Sequence, residues 1–452
     1  MNPYEAGARD GWSPQKMAQY FLTNYSEQHP ITYPINPFEM LKSEGIRFTF
    51  RPFKKYEGIY IPASDSDDFA LVGINVKRPI ARQRYSAAHE LCHHLKDSHS
   101  GYVCPAYSKS VIEQYAEEFA SELLMPHNEL LKQVNKYARD GYIDFDGILK
   151  AADYFGVSFQ ACMYAIAYRL HMISGDTSPR ALQKKKDAYK PQQRRKEAGF
   201  SDVPLYRQLI DAVDSSFGLT PTAHACEVFK SEYVFHDSRM EGVEVDQETA
   251  AAVVADLRIN GQSSEYCNEQ NQNLIQVAGL SLMYDYAFDM ANEVFGVFDA
   301  SVLNGKLYAT APYPDAGGKY RNSDTLVLGA KFETVNYGDI PMKMKELGET
   351  IDDLIAHKDE HSTSTFIEAA VNIHHRLTVI HAFGDGNGRT SRAFVNMLFL
   401  SKNVPLVFFD SRTKDEYKEA LGSADAGRYD DLYEVFYRAI LRSHASLTDF
   451  LC

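Results

Sequence analysis

Residues 381–392 read HAFGDGNGRTSR. The preceding segment, STSTFIEAAVNIHHRLTVI (362–380), places Phe366, Ala370, Ile373, Leu377 and Ile380 at apolar helical spacing, so the stretch begins where a helix stops. Phe383 can anchor the turn, while Gly384, Gly386 and Gly388 permit backbone conformations that side chains forbid. A second helix is expected from about Arg389. A glycine-rich loop opening into a helix N-terminus gathers backbone N–H groups around an anion, which suits a di- or triphosphate. Arg389 and Arg392 add forked cationic donors, and Asp385 offers a carboxylate for magnesium. A plain turn between two packed helices would explain one or two of these glycines, not the whole succession.

The rest of the chain sets bounds on that reading. With 452 residues, 44% of them hydrophobic and 24% charged, the protein is an ordinary globular chain too long for one core. Its start, MNPYEAGARDGWSPQ, lacks a basic segment followed by an apolar run, and no window reaches eighteen continuous apolar residues. A cytoplasmic protein is therefore expected, with no membrane partner. Six scattered cysteines show no paired spacing, so neither a disulfide framework nor a cysteine zinc knuckle is indicated. A net charge of −14 disfavours a general nucleic-acid binder, which needs a cationic face. The local exception, RALQKKKDAYKPQQRRKEAG (180–199), reads as a solvated basic linker rather than a nucleic-acid tail.

Before that segment lies a second chemical pattern. FALVGINV (69–76) predicts a buried strand, followed by helical patterns from about Ala81. In SAAHELCHHL (86–95), Ala88, Leu91, Cys92 and Leu95 form a core-facing stripe, and His89 and His93 sit four apart on an adjacent face. Two imidazoles so placed can bind one zinc ion while Glu90 holds and deprotonates its water. His94 is rotated by about 100° from His93 and should not share the ion. A third ligand is needed. The helix SVIEQYAEEFASELLMP (110–126) supplies candidates in Glu113, Glu117, Glu118 and Glu122, among which periodicity does not choose.

Two family resemblances follow from these motifs. Residues from roughly 35 to 175 resemble the ImmA/IrrE family of zinc metallopeptidases, through ARQRYSAAHELCHH (81–94), EQYAEEFASELLMP (113–126) and the closing helical stretch ILKAADYFGVSFQACMYAIAYRL (148–170). That resemblance implies zinc held by His89, His93 and Glu113, with Glu90 as general base. Glu117 stands where the family has asparagine or aspartate. The complete string HxFxDGNGRxxR resembles the Fic family of nucleotidyl transferases. It implies that His381 deprotonates a target hydroxyl, Asp385 binds magnesium, Gly386, Asn387 and Gly388 cradle the α-phosphate region, and Arg389 and Arg392 hold the outer phosphates of ATP. Ala382 replaces a frequent proline, and the retained second glycine favours AMP transfer over phosphotransfer. GGKYRNSDTLVLG (317–329) resembles the lead into the Fic target-docking flap, a β-hairpin expected within 324–339. HDSRMEGVEVD (236–246) resembles the Fic inhibitory helix, whose glutamate, here Glu241, pairs with Arg392. Asp237 departs from that pattern, which has serine or threonine there.

The expected architecture is an α+β zincin-like domain at 1–178, a basic linker at 179–199, and a mostly α-helical Fic domain with a β-hairpin flap at 200–452. The expected function is AMP transfer from ATP to protein hydroxyls, self-inhibited by Glu241 and coupled to a zinc-dependent endopeptidase of narrow specificity, in a stress, defence or toxin-like switch. The alternative is a Fic enzyme, with or without removal of AMP as a second activity, regulated by a non-catalytic zinc-stabilised sensor or binding domain. Both protein substrates and the oligomeric state are left open by the sequence.

Overall fold

The computed structural model of the protein describes residues 3–64, 68–97, 102–105, 110–217, 223–268, 271–314, 317–326, 333–410 and 412–448. It divides into two compact units, residues 1–217 and 218–452. In the first unit the helices are α1 (Pro3–Arg9), α2 (Pro14–Ser26), α3 (Pro37–Ser43), α4 (Ile80–Lys96), α5 (Val111–Leu124), α6 (His127–Tyr137), α7 (Phe145–Phe155), α8 (Phe159–Ala165), α9 (Pro179–Tyr189), α10 (Pro191–Glu197) and α11 (Val203–Phe217). The strands are β1 (Arg47–Arg51), β2 (Tyr56–Ile61), β3 (Leu71–Asn75) and β4 (Tyr102–Pro105). The second unit contributes α12 (Ala223–Met240), α13 (Gln247–Asn260), α14 (Gln272–Met290), α15 (Asp299–Leu307), α16 (Ile340–Ala356), α17 (Thr363–Ile380), α18 (Asn387–Ser401), α19 (Lys414–Ala424) and α20 (Asp430–Thr448).

The sheet has the order β1-β3-β2-β4. β1 runs parallel to β3 in the register Arg47↔Leu71, and β2 is antiparallel to both β3 and β4. In RFTFR the alternate residues Phe48 and Phe50 are buried, as the two-residue period of a strand requires. α4 packs across β2 and β3 and against α5, which α2 covers in turn. The expected strand 69–76 is thus β3, and the helix carrying His89 begins six residues before Ser86, at Ile80.

The segment 179–199, expected as a solvated linker, is helical. Leu182 on α9 is fully buried, and Arg195 on α10 pairs with Asp153 at 3.0 Å and Asp202 at 2.6 Å. The charge of Arg195 is therefore answered by carboxylates outside the segment, one of them 42 residues away, which composition does not reveal. α11 belongs with the first unit as well, so the division falls after residue 217 rather than at 199/200. The reason is packing: Val203, Leu205, Tyr206, Leu209, Ile210 and Val213 are buried, with α11 lying against α3 and β1. A fully buried arginine secures it. Arg84 on α4 donates to the Gly156 carbonyl at 3.1 Å, the Ile35 carbonyl at 2.5 Å and Gln208 Oε1 on α11 at 2.6 Å.

In the second unit α17 and α18 pack together, α14 and α15 both lie against α18, and α12 packs on α14. Ser362 caps α17 by accepting from the Thr365 N–H. The helix ends in a left-handed residue, His381, with φ of 51°. Among the described residues no helix is long and apolar enough to cross a membrane. The tip of the expected hairpin, 327–332, lies outside the described residues. Its flanks approach each other, since Thr334 Oγ1 donates to the Thr325 carbonyl at 2.5 Å and Asn336 to Asp324 at 3.0 Å.

The packing of α11 predicts that a fragment 1–217 unfolds cooperatively in urea. A fragment 1–199 should lose at least about 3 kcal/mol, because six buried side chains and an acceptor of Arg84 are removed. Equal unfolding midpoints for the two fragments would contradict the assignment.

Candidate functional site

In the first unit α4 presents His89 and His93 one turn apart toward Glu113 at the start of α5. Ser110 caps that start, its hydroxyl accepting from the Glu113 N–H at 3.2 Å. His89 Nε2 lies 3.2 Å from Glu113 Oε2 and 3.2 Å from His93 Nε2, which is 3.6 Å from Glu113 Oε1. All three side chains are buried, and one ligand atom from each falls within 4.8 Å of the others. Two ring nitrogens and a carboxylate oxygen converging without intervening apolar atoms form a donor set of the kind that holds zinc. Asp97 lies 3.6 Å from His93 Nδ1, and Glu117 lies 3.9 Å from His89 Nδ1. Of the four glutamates on the second helix, Glu113 reaches Nε2 of both histidines, Glu117 approaches only Nδ1 of His89, and Glu122 pairs with Arg169 at 2.6 Å.

Glu90 is buried beneath β2. A Cβ on Gly58 would stand 2.2 Å from Glu90 Oε1, so the strand can cross the carboxylate only because that residue is glycine. His94 points away from the cluster and meets the Tyr60 hydroxyl at 3.1 Å. A cavity of about 990 Å³ is lined in part by Glu57, Arg82, Tyr85 and Glu117; it meets the cluster through Glu117, and none of His89, Glu90, His93 and Glu113 lines it.

In the second unit the loop 381–388 joins α17 to α18. Asn387 braces it twice: Oδ1 accepts from the Phe383 N–H at 2.9 Å and Nδ2 donates to the Phe383 carbonyl at 2.8 Å. Asp385 keeps 75% of its side chain exposed. Burial of its carboxyl would raise its pKa, but the Tyr308 hydroxyl at 2.6 Å, the Gly386 amide and Arg389 outweigh this and hold it below the ordinary carboxylate range. Arg389 donates to Gln276 Oε1 at 2.9 Å. His381 is held below the usual imidazole value by burial first and by the charge of Arg321 second, with a hydrogen bond to the Thr378 backbone opposing. A neutral imidazole, an exposed carboxylate, loop amides and two arginines are thereby brought to one place, fitted to bind a polyphosphate and accept a proton.

Arg392, on α18, meets α12. Its Nη2 donates to Glu241 Oε1 at 2.5 Å, and its Nε donates to Asp237 Oδ1. Burial raises the Asp237 pKa despite the nearby guanidinium, whereas for Glu241 the charge and hydrogen bond of Arg392 overcome burial and lower it. A Cβ on Gly388 would lie 3.0 Å from Arg392 Nη1 and 3.1 Å from Glu241 Oε1, so that glycine leaves room for the pair.

Sequence reasoning missed several supports of this loop. Asn304 donates to the Asp385 carbonyl and to Thr390 Oγ1, both at 3.1 Å. Arg321 donates through Nε to the His381 carbonyl and through Nη1 to the Ser323 carbonyl, both at 2.8 Å, and through Nη2 to the Val335 carbonyl. Its own N–H donates to the Ala382 carbonyl at 2.9 Å. No local pattern marks Asn304, Tyr308 or Gln276. His374 and His375 serve packing: the first meets the Ser391 carbonyl and Tyr417 hydroxyl, the second Asp425 and the Tyr429 hydroxyl.

Comparison with known proteins follows the same division. Residues 41–170 match the model of the IrrE N-terminal-like domain, and residues 301–399 match that of the Fic/DOC family. The protein adenylyltransferase fic-1 of Caenorhabditis elegans is 26% identical over 198 residues, covering 43% of this chain and 36% of that protein. The protein adenylyltransferase Fic of Nematostella vectensis is 23% identical over 235 residues, covering 49% of this chain and 52% of its own length. This chain thus spans between about a third and a half of these relatives. Among solved structures, residues 134–508 of Fic-1 from C. elegans align with a TM-score of 0.46 and 15% identity, covering 73% of this chain and 86% of that one. A Fic domain containing signaling protein from Bacteroides thetaiotaomicron aligns with a TM-score of 0.42 and 20% identity, covering 50% and 87%. The chain accordingly carries an IrrE-like peptidase domain N-terminal to a mostly helical domain of the Fic/DOC family.

Proposed function

We propose that this chain transfers AMP from ATP to a hydroxyl of a protein substrate. The observation that carries the reading is the loop 381–392, where His381, Asp385, Arg389 and Arg392 converge with the backbone amides of Gly386, Asn387 and Gly388. The target oxygen attacks the α-phosphorus as its proton passes to His381; the bond to the β-phosphate bridging oxygen breaks, and pyrophosphate leaves. The exposed carboxylate of Asp385 suits magnesium, which would neutralise phosphate charge when bound. Arg389 and Arg392 orient the outer phosphates. Glu241, by occupying Arg392, keeps that donor from the γ-phosphate and holds the enzyme off. The match of 301–399 to the Fic/DOC family and the 26% identity over 198 residues with a protein adenylyltransferase support this reading.

The first unit, in the same proposal, holds one zinc ion on His89, His93 and Glu113, and Glu90 takes a proton from the attacking water during cleavage of a narrow set of peptides. Zinc would supply Lewis acidity there and lower the pKa of its water. The cavity that Glu117 lines offers room for a peptide near the cluster, and the presence of both domains in one chain supports coupling between the activities. The deep burial of Glu90 favours a second reading, a zinc-stabilised binding domain that regulates AMP transfer without cutting.

Labelled ATP tests the main proposal. Glu241→Gly should raise incorporation of AMP about ten-fold or more over the wild type, since couplings of this kind amount to about 1–3 kcal/mol. Adding His381→Ala should abolish it; equal labelling of wild type and Glu241→Gly would remove Glu241 from the inhibitory role.

Metal analysis addresses the first unit. About one zinc per chain is expected, lost in His89→Ala and Glu113→Ala and retained in Glu90→Gln, which should lack any peptidase activity. Undiminished zinc in the first two variants contradicts the ligand set, and cleavage by Glu90→Gln contradicts its role as base.

The depressed pKa of His381 sets a third expectation. The imidazole stays neutral, and so able to accept a proton, until the pH falls below the ordinary value of 6.5. In Glu241→Gly the rate of AMP transfer should hold through pH 7 to 6.5 and decline only below that, with the His381 ring titrating over the same range by NMR. A midpoint above 6.5 would show that the ring is not held neutral by its surroundings.

A further inference from the structure

Asp237 lies in the last turn of α12 and Glu241 immediately follows the helix's final residue, Met240, so both carboxylates reach the same guanidinium. They take different edges of it. Asp237 Oδ1 accepts from Nε of Arg392, while Glu241 Oε1 accepts from Nη2 at 2.5 Å. Their surroundings also differ. Asp237 is 4% exposed and its second oxygen accepts from the Tyr284 hydroxyl on α14 at 3.4 Å. The Glu241 side chain keeps 34% of its surface in contact with solvent.

These two differences assign different fates to the two contacts. Glu241 sits at the mouth of the site and can withdraw into water, where a carboxylate is well solvated. Asp237 has no such exit, and moving it would leave a charge and its partner separated in a dry interior, which is costly. Resting on the adenylyltransferase reading above, we propose that Asp237 is a positioning residue for ATP: it anchors the Nε edge of Arg392 whether or not Glu241 is present, so that Glu241 and the terminal phosphate compete for Nη2 of an immobile guanidinium. A guanidinium whose five donors lie in one plane is well suited to such division, since fixing one edge fixes the direction of the others. A short neutral hydroxyl at 237 would not supply a charge-assisted bond to that edge. The arrangement carries a cost, because the Asp237 charge partly offsets the attraction of Arg392 for phosphate; preorganisation of the donor opposes that loss.

The test compares binding of ATP and of AMP, each with magnesium, to the full chain by calorimetry in the wild type, Glu241→Gly, Glu241→Gly/Asp237→Asn and Glu241→Gly/Asp237→Ala. Glu241→Gly should bind ATP about ten-fold or more tightly than the wild type. Adding Asp237→Ala should reverse about ten-fold of that gain. Asp237→Asn, which keeps an acceptor oxygen but not the charge, should weaken ATP by about three-fold and so partly rescue it. AMP, which has no outer phosphates, should bind all the Glu241→Gly proteins alike. If Asp237→Ala unfolds the chain, the asparagine variant decides by the same ATP-to-AMP split. Unchanged ATP affinity on replacing Asp237, or parallel loss of ATP and AMP, overturns the anchoring role while leaving the Glu241 reading intact. Failure of Glu241→Gly itself to tighten ATP binding overturns that reading and the anchor with it.

Discussion

The guanidinium of Arg392 is buried in the helical unit, and a buried cation must be matched by acceptors close enough to repay its lost hydration. That requirement shapes its neighbourhood. α12 supplies Asp237, the turn just beyond it supplies Glu241, and α14 lies against both α12 and α18 while contributing Tyr284 to Asp237. Removing burial would weaken these contacts into ordinary surface pairs. Within it, a charge on one helix dictates where another helix runs and which of its faces turns inward.

The cluster of His89, His93 and Glu113 in the first unit obeys a related rule with the sign reversed. Two imidazole nitrogens and a carboxylate are gathered in a buried place, so the electron-rich atoms favour a cation among them. Gly58 lets β2 close over Glu90. Both sites therefore rest on polar groups that the surrounding packing brings together at short range, and in both a glycine lies where an added Cβ would crowd them, more severely at Gly58 than at Gly388.

Legibility in the sequence followed distance along the chain. The loop 381–392 was readable because its glycines, carboxylate and arginines are consecutive, and His89, Glu90 and His93 because a single helical turn relates them. Glu113 needed the family resemblance, since four glutamates share its helix and periodicity gives each a comparable place. Asn304, Tyr308, Gln276 and Arg321 were invisible: each comes from another element, and a lone amide, phenol or guanidinium leaves no pattern. β1 carried a signal, the alternation of Phe48 and Phe50, in a run of only five residues. The helices α9 and α10 were obscured by composition, because their lysines and arginines resemble solvated linker and the carboxylates that answer Arg195 lie elsewhere. Asp237 looked like a blemish in an inhibitory helix until its contact with Arg392 gave it a partner.

Arg321 ties both flanks of the 324–339 segment to the turn after α17 by hydrogen bonds to the main-chain carbonyls of His381, Ser323 and Val335, with the Asp324 carboxylate as an ion-pair partner at 3.7 Å. Main-chain carbonyls are present whatever side chain a position carries. The base of the segment can thus hold its distance from His381 whichever side chains stand at 323 and 335.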